Sequence, residues 1–311
     1  MAQASPALPA GMSLRGNAGR RRRETVVRGL FLAASLVTIL ISLFIIETVL
    51  VEAISFLSQI DLGQLFGIGW FPRRGIFDVT TIVLGTLIVT VIAMLIATPI
   101  GLFSAIYLSE YATPKFRRTV KPVLEVLAGI PSVVLGFFAL TLLTPTLIKP
   151  LFADASSFNL AAAGLGVGIL SIPLVASVAE DAMRAVPQNL REASYGLGAR
   201  RITTTFRVVL PAAVSGIMAA IILAVSRTIG ETMVVAVAAG ATGGSLRTVN
   251  PLGPGQTLTA AIASLATGSD QVTGSSSAYL SLFFLGLLLF GVTLLLNVGA
   301  SVFVRRTRQK Y

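Results

Sequence analysis

The sequence predicts an all-α polytopic membrane protein with six transmembrane helices. Composition and the arrangement of apolar segments carry that prediction. Of 311 residues, 54% are hydrophobic and only 12% charged, about half the charged fraction of a soluble domain. Six apolar stretches, at roughly 29–51, 79–109, 122–148, 160–180, 212–240 and 278–304, are each long enough to cross a bilayer, which takes about 20 residues of helix. The distribution of basic residues then supplies an orientation.

The first element is a polar stretch over residues 1–28, rich in Ala, Gly and Pro and ending in the run Arg20 to Arg23. It reads as a disordered cytoplasmic tail. The apolar stretch after it exceeds a signal-peptide core of about 7–15 residues, so it is a retained first span. The second and third stretches exceed the minimum length, which predicts tilt or kinks. Pro99, Gly101, Gly129, Pro131 and Gly136 lie within them, and Pro173 interrupts the fourth. A proline in a span frees a carbonyl that a neighbour or cavity water must satisfy.

With the N-terminus inside, 19 of the 24 Lys and Arg residues fall in inside segments and four in outside loops. This asymmetry favours six spans with both termini cytoplasmic. It also explains the basic character of the chain without nucleic acid. Two outside segments are long. Residues 52–78 contain WFPRRG, and residues 241–277 contain NPLGPG, with a short helix expected from Thr257 to Ala266. Each either meets a soluble partner or merely connects. The domain organisation is therefore a tail at 1–28, a six-span domain at 29–304, and a cytoplasmic tail at 305–311.

The sequence contains neither Cys nor His. Disulfides, thiolate chemistry, histidine metal sites and histidine-dependent triads are excluded. There is also no GxxxxGK[ST] loop to cradle ATP phosphates. No catalytic residue, metal ligand or cofactor site is expected.

One basic residue remains inside a span. The stretch SRTIGETMVV (Ser226 to Val235) places Arg227 and Glu231 in an otherwise apolar segment. A charge at the bilayer centre costs at least about 2.5–3.5 kcal/mol. If the helix runs through, residues four apart share a face and the two charges pair. That pair either fixes helix packing, or Arg227 lines a translocation route and meets an anion. Thr228 and Ser132 are further candidates for such a route. Glu125, just after Pro122, is expected to pair with Lys121 or Arg118.

The inside segment 186–213 is amphipathic and too polar to cross the membrane. It predicts a short helix over Leu190 to Leu197, a turn at Gly196 and Gly198, and a second helix from near Arg201 broken by Pro211. Within it stand Glu192-Ala193-Ser194, three residues, Gly198, nine residues, then Val208, Val209 and Leu210-Pro211. This resembles the EAA-x3-G-x9-I-x-LP signature of ABC-importer permeases, departing from it at Ser194 and Val208. LAGIPSVVLGFF (Leu127 to Phe138) and SRTIGETMVV are similar to the phosphate-type (Pst) permeases. YLSEYA at 107–112, the Arg-rich N-terminal tail and GETMVV make the chain look PstC-like.

The resemblance implies a type I importer fold of the MetI-like kind and half of an ATP-driven phosphate translocation pathway in a prokaryotic inner membrane. It implies that Glu192, Ala193, Gly198, Leu210 and Pro211 belong to a coupling element for a cytoplasmic ATPase dimer. It implies a PstA-like second permease, an extracytoplasmic phosphate-binding protein, contact with membrane lipid, and phosphate as substrate. The alternatives are an ABC permease for another oxyanion, such as molybdate, sulfate or phosphonate, and a transporter driven by an ion gradient.

Overall fold

The computed structural model describes residues 18–240, 244–267 and 276–307. Expectations for residues 1–17 and 308–311, and for 241–243 and 268–275 of the second long loop, lie outside the described residues. Contacts divide the chain into two units, one up to Val51 and one from Glu52 onward. In the first, helix α1 (Ala18–Gln59, which runs on into the second unit) is already formed at residues 18–28. The end of the expected disordered tail is therefore helical, because nothing from Ala18 to Arg28 is a proline or glycine run that would stop it. Most of its apolar side chains in this unit are exposed, as a lipid-facing helix requires.

In the second unit, a 3₁₀ turn (Leu62–Phe66) leads to strand β1 (Gly69–Phe71), a tight turn (Pro72–Arg74) and strand β2 (Ile76–Phe77). Asp78 caps α2 (Val79–Ile106), whose π-helical continuation reaches Tyr111. Helix α3 (Pro114–Ala128) follows, capped by Thr113. After a break, α4 (Ser132–Phe138) runs through a π-helical stretch (Ala139–Ile148) into α5 (Lys149–Leu151). Next come α6 (Leu160–Arg184) and the short α7 (Gln188–Gly196). A single long helix is then built from α8 (Arg201–Thr204), a π turn (Thr205–Val209) and α9 (Leu210–Ile229). A second break precedes α10 (Met233–Val235), which extends to Gly240. Strand β3 (Ser245–Leu246), α11 (Leu258–Ala266) and α12 (Ser277–Thr307) complete the described chain.

Among the described residues, six helices are long and apolar enough to cross a membrane: Arg22–Gln59, Val79–Tyr111, Ser132–Leu151, Leu160–Arg184, Arg201–Ile229 and Ser277–Val304. The count agrees with the sequence, but two boundaries do not. The expected third span at 122–148 is two helices, because Gly129-Ile130-Pro131 ends α3 and starts α4 afresh. Pro131 cannot donate to the preceding turn, and its carbonyl instead accepts from the Val134 amide at 3.0 Å. The expected fifth span at 212–240 also breaks, at Gly230 to Thr232. Conversely, Pro211 does not break its helix. It follows a π turn in which the Leu210 amide bonds the Thr205 carbonyl, and this wider turn accommodates a ring without an N–H.

Two central helices, α2 and α6, organise the bundle. Their seam is made by small residues, the means by which helices approach closely where lipid offers no hydrophobic drive. A Cβ on Gly168 would lie 3.0 Å from the Ala93 carbonyl oxygen and 3.2 Å from its Cα. The main core gathers Val89, Ala93, Leu135, Ala139, Val167 and Val234 around this seam. A second cluster, around Phe56, Trp70, Phe77 and Leu285, closes one end. A third, with Ala105, Met183, Val209 and Ala213, closes the other beneath α7.

The two long loops are knitted together. Strands order as β2-β1-β3, antiparallel, so 69–77 pairs with 245–246. The stretch 250–255 caps α6, since the carbonyls of Gly253 and Pro251 accept from the amides of Leu160 and Ala161 at 3.1 and 2.8 Å. Asn159 completes the cap by accepting from Ala162 at 2.7 Å. The expected short helix is α11, capped by Thr257, and its Leu258 amide bonds Thr86 of α2 at 3.0 Å.

Because the atoms opposite Gly168 are backbone, Gly168→Val cannot be relieved by a rotamer change. Overpacking of this kind costs about 1–3 kcal/mol. Thermal unfolding in detergent and the level in membranes should both fall; unchanged values would mean the seam has slack.

Candidate functional site

Two groups of candidate residues fall at different places. Arg227 sits in the last turn of α9, exposed on the surface of this chain. Glu231 lies in the break. The expected pairing across a continuous helix is therefore not formed: the helix ends at Ile229, with the Gly230 amide bonded to the Ser226 carbonyl at 3.3 Å. Among the described residues the Arg227 guanidinium has no hydrogen bond or ion pair. Glu231 turns to the next segment instead. Its carboxylate accepts from the Val234 amide at 3.4 Å, and its carbonyl accepts from the Thr259 hydroxyl at 2.7 Å. A carboxylate before a helical turn meets unpaired amides and the positive end of their dipoles.

Thr228 points the other way. It is buried, 3.3 Å from the Ser171 hydroxyl of α6, and so packs α9 rather than lining an open face. Ser132 is the first residue of α4, half-buried. One turn on, Gly136 lets α4 meet α10: a Cβ there would be 3.1 Å from both the Met233 carbonyl and the Val234 Cα. The two broken spans thus pack together directly after their breaks, which places Ser132 and the Arg227–Glu231 stretch on adjoining segments.

The loop 186–213 forms the second group. Helix α7 is amphipathic, and its tip turns at Gly198 with φ +78°, a left-handed conformation that costs other L-residues about 1–2 kcal/mol. Glu192, Ala193 and Gly198 are exposed. Between them Leu197 is 90% exposed, an apolar side chain aimed outward at the tip, just past the end of α7 rather than within the helix expected over Leu190 to Leu197. Leu210 and Pro211 do not join this tip. Leu210 packs on the Val209 and Ala213 cluster, and Pro211 opens α9. The signature therefore marks a tip and the base of the following helix, not one surface.

What fixes the loop is a pair that sequence reasoning missed. Arg191 of α7 is buried and bonds Glu110, at the end of the α2 extension, at 3.0 Å. It also donates to the carbonyls of Val186 at 2.6 Å and Met183 at 2.8 Å. Ser109 donates to Glu110 at 2.9 Å. The signal was present, as one acid in YLSEYA and one base in the loop, but 81 residues separate them. The hydroxyls of Ser194 and Thr204, 2.9 Å apart, tie α7 to α8.

A second ionic hub joins α3 to α6. Glu180, buried, accepts from Lys121 at 2.9 Å, with Arg117 at 3.6 Å and Arg184 at 3.8 Å. Lys121 also bonds Asp181 at 2.5 Å. Lys121 is thus paired with α6, not with the exposed Glu125 as expected. Burial lowers the Lys121 pKa, but hydrogen bonds to Asp181 and Glu180 outweigh it and hold the amine above its usual 10.5. A raised pKa stabilises at every pH below the unfolded value, and that contribution is lost as pH rises through the folded one. The clamp therefore holds throughout the physiological range. Among the described residues no group of three His, Cys, Asp or Glu is placed to hold a metal.

Residues 97–309 match the family of binding-protein-dependent transport system inner membrane components. The chain is 33% identical over 270 residues, 80% of each chain, to the phosphate transport system permease protein PstC of Mesorhizobium japonicum. It is 33% identical over 216 residues, 68% of each, to a probable ABC transporter permease, YqgH, of Bacillus subtilis. In fold it is similar to a chain of a bacterial alginate ABC transporter in complex with alginate pentasaccharide-bound periplasmic protein, with a TM-score of 0.63 at 15% identity, covering 92% of this chain and 98% of the other.

Removing one partner of a buried ion pair strands the other, at a cost of about 3–5 kcal/mol. Arg191→Ala should accordingly raise amide exchange across 188–196. The Glu110→Ala, Arg191→Ala double variant should cost less than the two single changes together. Additive costs would show that the pair does not hold the loop.

Proposed function

This chain belongs to the inner membrane components of binding-protein-dependent transport systems, within their phosphate-type (Pst) branch, and from that premise we propose that it is one of two permease chains of an ATP-driven phosphate importer. The observation that carries the substrate is Arg227. A guanidinium on an apolar span, exposed and without an acidic partner among the described residues, lacks the compensation that such a charge needs. In half of a pathway, the missing partner is the passing anion. Guanidinium matches phosphate oxygens bidentately and stays charged at every relevant pH. That the Mesorhizobium relative is a phosphate transport permease favours phosphate over other oxyanions.

Glu231 and Ser132 then act beside Arg227. Ser132 opens α4 and offers a hydroxyl donor. Glu231, four residues from Arg227, limits how tightly an anion is held, which a conduit needs. Thr228 serves packing. The chemistry of ATP hydrolysis lies outside this chain, in a cytoplasmic ATPase dimer that the exposed tip at Glu192, Ala193, Leu197 and Gly198 docks. Basic-residue asymmetry puts that tip and both termini in the cytoplasm. The knitted loops at 69–77 and 245–255 then face outward, toward a phosphate-binding protein, and the open face carrying Arg227 faces a PstA-like partner. Closure of the ATPase dimer moves the tip, and the rigid Arg191–Glu110 anchor passes the movement to α2 and α6.

Arg227→Gln should lower labelled-phosphate uptake by roughly tenfold or more, the worth of a charge-assisted bond, while the complex still copurifies. Arg227→Lys, which keeps the charge but loses the fork, should fall between. Loss of the assembled complex would instead assign Arg227 to packing. Uptake of molybdate or sulfate that excess phosphate does not compete would replace phosphate as substrate. Undiminished uptake without the ATPase would make the transporter gradient-driven. For the tip, Gly198→Val should reduce ATPase copurification through the turn alone, since no atom lies within 4 Å of the added Cβ; full retention would place the docking surface elsewhere.

A further inference from the structure

A polar cavity of about 530 Å³ lies between the 186–201 loop and the body of the bundle. Its cationic wall comes from Arg117 of α3, Arg184 at the end of α6, Arg191 of α7 and Arg201 of α8, with the hydroxyls of Ser109 and Tyr195 beside them. We propose that this cavity binds a phosphate-class oxyanion that clamps the loop to the body.

The charge balance is what distinguishes the cavity from an ordinary solvated face. Arg191 is spent, since Glu110 and two carbonyls take its donors. Arg117 and Arg184 are not. Both approach the same Glu180 oxygen, at 3.6 and 3.8 Å, beyond hydrogen-bonding distance, and that oxygen accepts no hydrogen bond. Glu180 and Asp181 are instead bonded by Lys121. Arg201 stacks over the Tyr111 ring at 5.2 Å, which leaves its N–H edge open. Counting the wall and its paired neighbours, five cations (Arg117, Lys121, Arg184, Arg191 and Arg201) face three carboxylates (Glu110, Glu180 and Asp181). The excess of two positive charges matches a doubly charged oxyanion. Guanidinium groups are built for tetrahedral oxyanions, which they bind with paired, charge-assisted hydrogen bonds.

The position gives the anion a mechanical effect. Arg117 and Arg184 belong to the body, whereas Arg201 and Tyr195 belong to the loop. An oxyanion held by both adds a tie to those the loop has through Arg191 with Glu110 and Arg201 over Tyr111. Two sources supply the same chemistry at this end of the bundle: free phosphate, and the phosphodiester of an anionic lipid headgroup.

Hydrogen exchange on the complex purified through a tag on this chain tests the proposal in nanodiscs. In phosphatidylcholine, inorganic phosphate at constant ionic strength should slow exchange over 188–201, and chloride should not. Protection that appears with phosphatidylglycerol and is not increased by phosphate also supports the site and identifies the headgroup as its occupant. Arg117→Gln and Arg184→Gln should each raise the half-protecting concentration of the effective anion by roughly tenfold, with exchange in α2 and α6 unchanged as the check on folding. No protection by either source, or protection that survives both substitutions, overturns the proposal. The readout is local to the cavity, so it does not depend on whether Arg227 meets the transported anion.

Discussion

The bilayer's demand that every backbone polar group find a partner within the protein governs this structure. It is easily met by six unbroken helices. The six spans of this chain are continuous, but the breaks just before the third and just after the fifth free backbone groups that must be satisfied elsewhere. At the first break the Pro131 carbonyl is taken by Val134; at the second the Glu231 amide bonds the Thr228 carbonyl at 3.1 Å and the Glu231 carbonyl takes the Thr259 hydroxyl. The stretch 250–255 supplies acceptors for the first amides of α6. The breaks themselves are exposed at Gly129, Pro131 and Gly230, and α4 and α10 pack against each other directly after them.

The same economy governs charge. Two buried acids, Glu110 and Glu180, are each met by bases. Arg191 with Glu110 is buried and Lys121 with Glu180 is part-buried, and such pairs are weak evidence for stability taken alone. Their value here is positional. Glu110 ends one of the two central helices, Glu180 lies near the end of the other, and each receives a cation from a segment that would otherwise be loose. The loop is therefore anchored by geometry that a simple surface contact would not give. Arg227, in the last turn of α9, has no acidic partner among the described residues, which is why it carries the functional reading.

Several features of the candidate site were legible in the sequence for local reasons. Gly198 was expected at a turn because only a residue without Cβ reaches φ +78° cheaply. The short helix expected from Thr257 to Ala266 forms over Leu258–Ala266, where the Thr257 hydroxyl caps the Ala260 amide at 3.3 Å. The six apolar stretches were legible from length. By contrast, the Arg227–Glu231 spacing suggested a pair that depends on an unbroken helix, and no periodicity reports that Gly230 ends it. Pro211 misled in the opposite direction, since a π turn absorbed it.

The sequence by itself determined the number of spans, their orientation preference and the transporter family, because these rest on composition, charge asymmetry and a fixed local spacing. Only the tertiary structure decided where the spans break, which candidates share a surface, and what anchors the loop. Those depend on contacts such as Arg191 with Glu110 and Gly136 with Met233, between residues about 80 to 100 positions apart, whose meeting is set by helix packing and leaves no trace in local pattern.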